Sequence, residues 1–173
     1  MTGVDGQMYR HAPEGYDCPF CRLARGDDTD RSSQADLIYR DDRVMALVPI
    51  DWRPGNKVHV LAVPVLHYEN VFDLPPELGT PLQRMIRDVA LAMKDAFGCT
   101  GISLRQSNEP DGRQDVWHHH THVIARFPND RMEQFRLEPN TAAERRPIVM
   151  ALRQHLRNIV PTCSTSDPGI PPT

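Results

Sequence analysis

Gln114-Asp115-Val116-Trp117-His118-His119-His120-Thr121-His122-Val123-Ile124-Ala125-Arg126 is the stretch from which the rest of the chain is best read. The chain has eight histidines, and His118, His120 and His122 alternate within this run. In a β-strand, side chains two apart share a face. The run is therefore predicted to be a strand carrying three imidazoles in a row, with neighbours about 7 Å apart at the usual rise per residue. Gln114 and Val116 extend the row, and His119, Thr121, Val123 and Ala125 take the opposite face. An imidazole near neutral pH serves as nucleophile, proton carrier or metal ligand. A surface metal cluster and chance alternation are the bland alternatives. The run is internal, so it is not an appended tag.

Composition narrows the class. A chain of 173 residues is long enough for one domain with a substantial core. Hydrophobic content of 39% and charged content of 25% are those of an ordinary globular protein. A formal net charge of −3, with both signs interspersed, argues against a dedicated nucleic-acid or membrane surface. No run approaches transmembrane length, and no apolar leader opens the chain. A cytoplasmic protein is the expectation. Its four cysteines then read as thiols or metal ligands rather than disulfides.

In chain order, residues 1–16 read as a flexible arm. Cys18-Pro19-Phe20-Cys21 follows, a C-x-x-C element with three readings: a redox pair, a disulfide, or half of a zinc site. The redox reading lacks its usual βαβ setting. Ala35–Arg40 and Val44–Val48 read as a hairpin, Pro49–Lys57 as a loop, and Val58–Pro64 as a strand buried on both faces. Leu82, Met85, Ile86, Val89, Ala90, Met93 and Phe97 mark one long amphipathic helix over 75–97, stopped by Gly98. Gly101–Gln106 alternates as another strand, and Ser107–Arg113 is a polar loop leading into the histidine run. Residues 128–140 read as irregular. Ala142–Val160 reads as a second helix, with Thr141 and Glu144 as its capping pair. The last thirteen residues, rich in Pro, Ser and Thr, read as disordered.

Gln-x-Val-x-His-x-His-x-His-x-x-x-Arg resembles the signature of the histidine triad (HIT) family of nucleotide hydrolases and transferases. Gln114, Val116, His118, His120, His122 and Arg126 all fall in place, with Ala125 where the family usually has Pro. The N-terminal half resembles it too: C-x-x-C, a hairpin, Asp51, then His59-x-Leu61-x-Val63-Pro64-x-x-His67. Val58 replaces a usual Gly and Val65 a usual Lys, and the segment before Asp51 is about two residues longer than usual. The resemblance implies an α+β, HIT-like fold with a mostly antiparallel five-stranded sheet, one long helix and a C-terminal helix. It implies a HIT domain over 17–128, leaving a helical C-terminal extension over 129–160 and a tail over 161–173.

The same resemblance implies a structural zinc held by Cys18, Cys21, His67 and His118. The bland alternative makes His67 a surface histidine. It implies His120 as nucleophile, forming a nucleotidyl-histidine intermediate, its other ring nitrogen held by a nearby carbonyl. His122 and Gln114 are then phosphate donors, His59 orients His122, and Asn108, Asp51 and Asp115 contact the nucleotide. Asp115, where the family often has Ser or Thr, would disfavour an anionic leaving group. Histidine rather than glutamine at position 122 favours hydrolysis over transfer. A purine nucleotide substrate and a homodimer are implied by the resemblance alone. Two alternatives stay open: a dinucleoside polyphosphate phosphorylase or nucleotidyltransferase, and a non-catalytic nucleotide-binding protein.

Overall fold

A computed structural model of the chain describes residues 9–30, 32–52, 56–130 and 137–159. Among the described residues, seven strands and three α-helices run in the order α1 (Pro19–Arg25), β1 (Leu37–Arg40), β2 (Val44–Leu47), β3 (Asp51–Trp52), β4 (His59–Pro64), α2 (Gly79–Phe97), β5 (Gly101–Gln106), β6 (Thr121–Arg126), β7 (Glu138–Pro139) and α3 (Ala142–Ile159). Five strands form an antiparallel sheet in the order β1-β2-β4-β6-β5. The expected α+β class, five-stranded sheet, long helix and C-terminal helix are all present.

The period of two in each strand sorts side chains to two faces, and both are covered. Val44, Ala46, Val60, Ala62, Val123 and Ala125 pack with α2 and α3 into the larger core. Met45, Leu47, Leu61 and Val63 turn the other way, onto Phe20, Leu23 and Ala24 of α1. This double cover explains why all of β4 is buried. Leu82, Met85, Ile86, Val89 and Met93 form the buried stripe of α2. Gly98, at φ 64°, closes α2 with its N–H on the Lys94 carbonyl.

Helix α3 begins with the expected capping box: the Glu144 carboxylate accepts from the Thr141 N–H at 3.0 Å, and the Glu144 N–H donates to the Thr141 hydroxyl at 3.3 Å. The helix is locked to the start of β1 by a buried ion pair that sequence reasoning did not foresee. The Arg145 guanidinium donates to both oxygens of Asp36, at 2.7 and 3.0 Å.

Three expectations are corrected. The histidine run is not a strand from 114: β6 starts at Thr121, so His118 and His120 precede it. The ladder to β4 stops at the Ala62–Thr121 pair. The next carbonyl that could extend it, on Pro64, is 3.0 Å from the His118 ring Nε2, and the His119 N–H donates to Tyr68 at 2.6 Å. The loop over 49–57 contains β3, and the irregular segment over 128–140 contains β7, its partner. A two-residue ladder has no periodicity to read. In the described part of the N-terminal arm, Asn70 donates to the Tyr9 carbonyl at 2.7 Å, and the His11 N–H donates to Glu69 at 2.5 Å. The rest of that arm, residues 1–8, and the tail over 161–173 lie outside the described residues.

Candidate active site and metal centre

The face of the sheet opposite α2 and α3 opens into a cavity of about 680 Å³. His59, Leu61, His122, Ile124 and Arg105 line it from β4, β6 and β5, and His120 lines it from the segment before β6. Asp51, Ile50 and Leu137 come from β3 and its surroundings. Phe20, Ser107, Arg113 and Asp115 complete the wall nearest the triad.

His120 is held at one nitrogen. Its Nδ1 lies 2.7 Å from the His118 carbonyl oxygen, deep in the protein. A carbonyl only accepts, so Nδ1 carries the proton, and in the neutral ring Nε2 carries the lone pair. Nε2 lies 3.6 Å from Oδ1 of Asp115. The His120 ring beside it is the main influence holding the Asp115 carboxyl below its ordinary range. The edge of Phe20 packs against the His120 ring at 5.4 Å. His59 Nε2 and His122 Nδ1 share a 2.9 Å hydrogen bond, their rings stacked at 5.0 Å. The rings of His120 and His122 meet edge to face, also at 5.0 Å. The structure thus gathers His59, His120, His122, Asp115 and Asp51 around one cavity.

Gln114 and Asn108 are placed otherwise. The Gln114 amide is buried and donates to the backbone carbonyls of Glu69 and Val116, at 2.5 and 3.0 Å. Its oxygen accepts the Glu109 N–H at 2.9 Å. Gln114 therefore staples the loop ahead of the triad and does not line the cavity. Asn108 turns away as well: its oxygen accepts from Val71 N–H and the Gln106 amide, both at 2.8 Å. Ser107 and Arg113 are the residues of that loop that line the cavity. Spacing alone does not say which way an amide points.

His118 faces a second cluster. Its Nε2 donates to Pro64, which leaves Nδ1 free, 3.3 Å from the Cys18 sulfur and 3.6 Å from that of Cys21. His67 Nδ1 lies 3.2 Å from the Cys21 sulfur. The four ligand atoms of Cys18, Cys21, His67 and His118 lie within 4.8 Å of one another. With metal bonds of about 2.3 Å to sulfur and 2.0–2.1 Å to nitrogen, a zinc tetrahedron has N···S edges of about 3.6 Å, close to these separations. The electrostatics fit a cation too. Burial pushes the His118 ring down to about 3, keeping it neutral, and pushes the Cys18 thiol up to about 12. Without positive charge nearby, a thiolate there is costly. The donor set is therefore a possible Cys2His2 metal site.

His119 is a satisfied core histidine. Burial, with His120 second, lowers it to about 4, and its Nδ1 is 3.5 Å from the Gln106 amide. Sequence reasoning overlooked Phe20 and Arg105. Phe20 sits inside the C-x-x-C element, and its edge meets both His118 and His120. Arg105 is the direct cross-strand partner of His122. The alternation of 101–106 would have placed it on the histidine face once the β5–β6 register was known.

Comparison with known proteins agrees with this geometry. The chain is 30% identical over 114 residues to the adenylylsulfatase HINT3 of Arabidopsis thaliana, covering 66% of this chain and 54% of that protein. It is 30% identical over 99 residues to the purine nucleoside phosphoramidase of Escherichia coli K12, covering 57% of this chain and 82% of that one. A zinc-bound histidine triad family protein from Mycobacterium smegmatis superposes with a TM-score of 0.69 at 26% identity, over 83% of this chain and 95% of that chain. The family model for the HIT domain matches residues 30–129, and the chain belongs to the histidine triad family.

Proposed function

We propose that the protein hydrolyses nucleotides at the α-phosphate through a nucleotidyl intermediate on Nε2 of His120, releasing a nucleoside monophosphate. The observation that carries this reading is the pinned ring: Nδ1 on the His118 carbonyl, Nε2 free beside the cavity. The names of the two hydrolase relatives support the reaction class.

The Nε2 lone pair attacks the α-phosphorus. The N–P bond forms as the bond to the leaving group breaks, and the bonding pair departs with that group. Water then attacks phosphorus, and the N–P bond breaks with its electron pair returning to Nε2. Charge on the non-bridging oxygens is met by His122, whose ring is set by His59. Asp51, on β3, is suited to accept from ribose hydroxyls. Asp115, facing Nε2, stands where the leaving group departs. Gln114 acts as a positioning residue for the loop and Asn108 as its internal brace. A zinc ion, if bound by Cys18, Cys21, His67 and His118, supplies structural cross-linking, because four protein ligands leave no open position.

A turnover panel tests this. Adenosine phosphoramidate, a diadenosine polyphosphate and a nucleotidyl sugar are each incubated with wild type and with His120→Ala. Wild type forms a nucleoside monophosphate from at least one, and the variant forms none. Tight nucleotide binding with no turnover by wild type sinks the enzymatic reading.

A further inference from the structure

We infer that Arg105 and Arg113 form a clamp for phosphates beyond the α-phosphate, so that the substrate class is nucleotides with a polyphosphate leaving group. The inference rests on the hydrolytic reading above and deepens it.

Arg105 and Arg113, both exposed, line the cavity that holds His120 and His122. Arg105 stands directly across the β5–β6 ladder from His122. Opposed residues in an antiparallel pair have Cβ atoms about 4.5–5.5 Å apart on one face. Arg113 lies two residues before Asp115, in the loop stapled by Gln114. It has φ 63°, a left-handed backbone uncommon outside glycine. Its N–H donates to Pro110 at 2.9 Å, so the chain's own bonding keeps it there. Among the described residues, neither guanidinium makes a hydrogen bond or an ion pair.

That last point separates them from the other cation of the cavity wall. Arg22 is engaged by Asp17 at 3.4 Å and by the Asp28 carbonyl at 2.7 Å. The wall carries both signs, with Asp17 and Arg22 at α1 and Asp115 two residues after Arg113. Asp30 and Asp51 come from the β1–β3 side, Arg105 and Arg113 from β5 and the loop after it. Asp115 alone would repel an anionic leaving group. Two unpaired guanidiniums on the same wall offset that carboxylate, and their fork geometry matches phosphate oxygens. When Nε2 attacks, the bridging P–O bond breaks and its electron pair leaves on the polyphosphate oxygen. The clamp stabilises that developing charge, whereas a neutral amine leaving group draws nothing from it.

The experiment compares wild type, Arg105→Gln, Arg113→Gln and the double variant on diadenosine tetraphosphate and on adenosine phosphoramidate. Each single change lowers kcat/KM for the tetraphosphate about tenfold and the double change about a hundredfold, with less than about threefold change for the phosphoramidate. Equal losses on both substrates, or none on either, overturn the clamp. Calorimetric titration with inorganic tripolyphosphate is the second arm and requires no turnover. Binding by wild type that weakens at least tenfold in the double variant supports the clamp even if neither nucleotide is hydrolysed, in which case only the hydrolytic reading fails. No binding by wild type, or equal binding by both proteins, overturns it.

Discussion

The His118 carbonyl oxygen lies 2.7 Å from Nδ1 of His120, so the backbone of one triad member sets the tautomer of the next. A rapidly quenched reaction is therefore expected to carry the nucleotidyl group on Nε2. Phosphorus–nitrogen correlation NMR of a ¹⁵N-histidine sample reads this directly. A group found on Nδ1 would show that the ring has been placed backwards.

The His59–His122 hydrogen bond makes His59 a positioning residue. His59→Ala is expected to lower kcat about a hundredfold, as misplacement of a catalytic group does, with little change in KM. His59→Gln, which keeps a hydrogen-bonding side chain, recovers part of that loss. A change in KM alone, or no recovery in His59→Gln, argues for a packing role only.

Elemental analysis of the purified protein is expected to find about one zinc per chain, removable by a strong chelator. Loss of the ion lowers Tm by about 6–12 °C if the site contributes roughly 3 kcal/mol. Cys21→Ser shows the same lowered Tm before any chelator is added. A metal-free protein with an unchanged melt would reduce the cluster to a coincidence of side chains.

Gln114→Ala removes three hydrogen bonds to backbone groups around the loop. Because this amide is buried, the cost is about 1–3 kcal/mol of stability. Limited proteolysis between Glu109 and Asp115 rises in parallel. Full stability with lost activity would instead identify Gln114 as a direct phosphate donor.

Glu144 gives a pH-dependent signature. Its bonds to Thr141 lower its carboxyl below the ordinary value of 4.5. A carboxyl depressed in the folded state contributes stability that is present above the unfolded value and lost as pH falls through the folded one. The Tm gap between wild type and Glu144→Gln is therefore open at neutral pH and narrows below about pH 4.5. A gap that stays constant from pH 7 to pH 3 would show that the charged cap has no part in it.

Periodicity made the main sheet and α2 legible. Val44 to Leu47 and Val60 to Pro64 are apolar throughout because both faces of the sheet are covered. The Cys2His2 cluster was legible through the resemblance, which linked Cys18 and Cys21 to histidines far along the chain. Directions of side chains were not. Gln114 fits a phosphate donor by position and is turned to the backbone by Glu69 and Glu109. The Asp36–Arg145 pair joins residues 109 positions apart, and no local pattern announces such a contact. The short β3–β7 ladder is likewise set by tertiary contact, through the Asn140 N–H on Ile50 and the Asn140 amide on Pro49.

That ladder separates two kinds of change the protein can undergo. The histidines and cysteines of the site all stand between residues 18 and 122, yet one wall of the cavity is Leu137, carried by a segment beyond the matched domain. Within this segment, Glu138 and Pro139 pair with Trp52 and Asp51, outside the five-stranded sheet that carries His59 and His122. Substitutions at Leu137 are expected to reshape that wall while His59 and His122 keep their supports in β4 and β6, so the shape of the cavity and the placement of its histidines are free to vary separately.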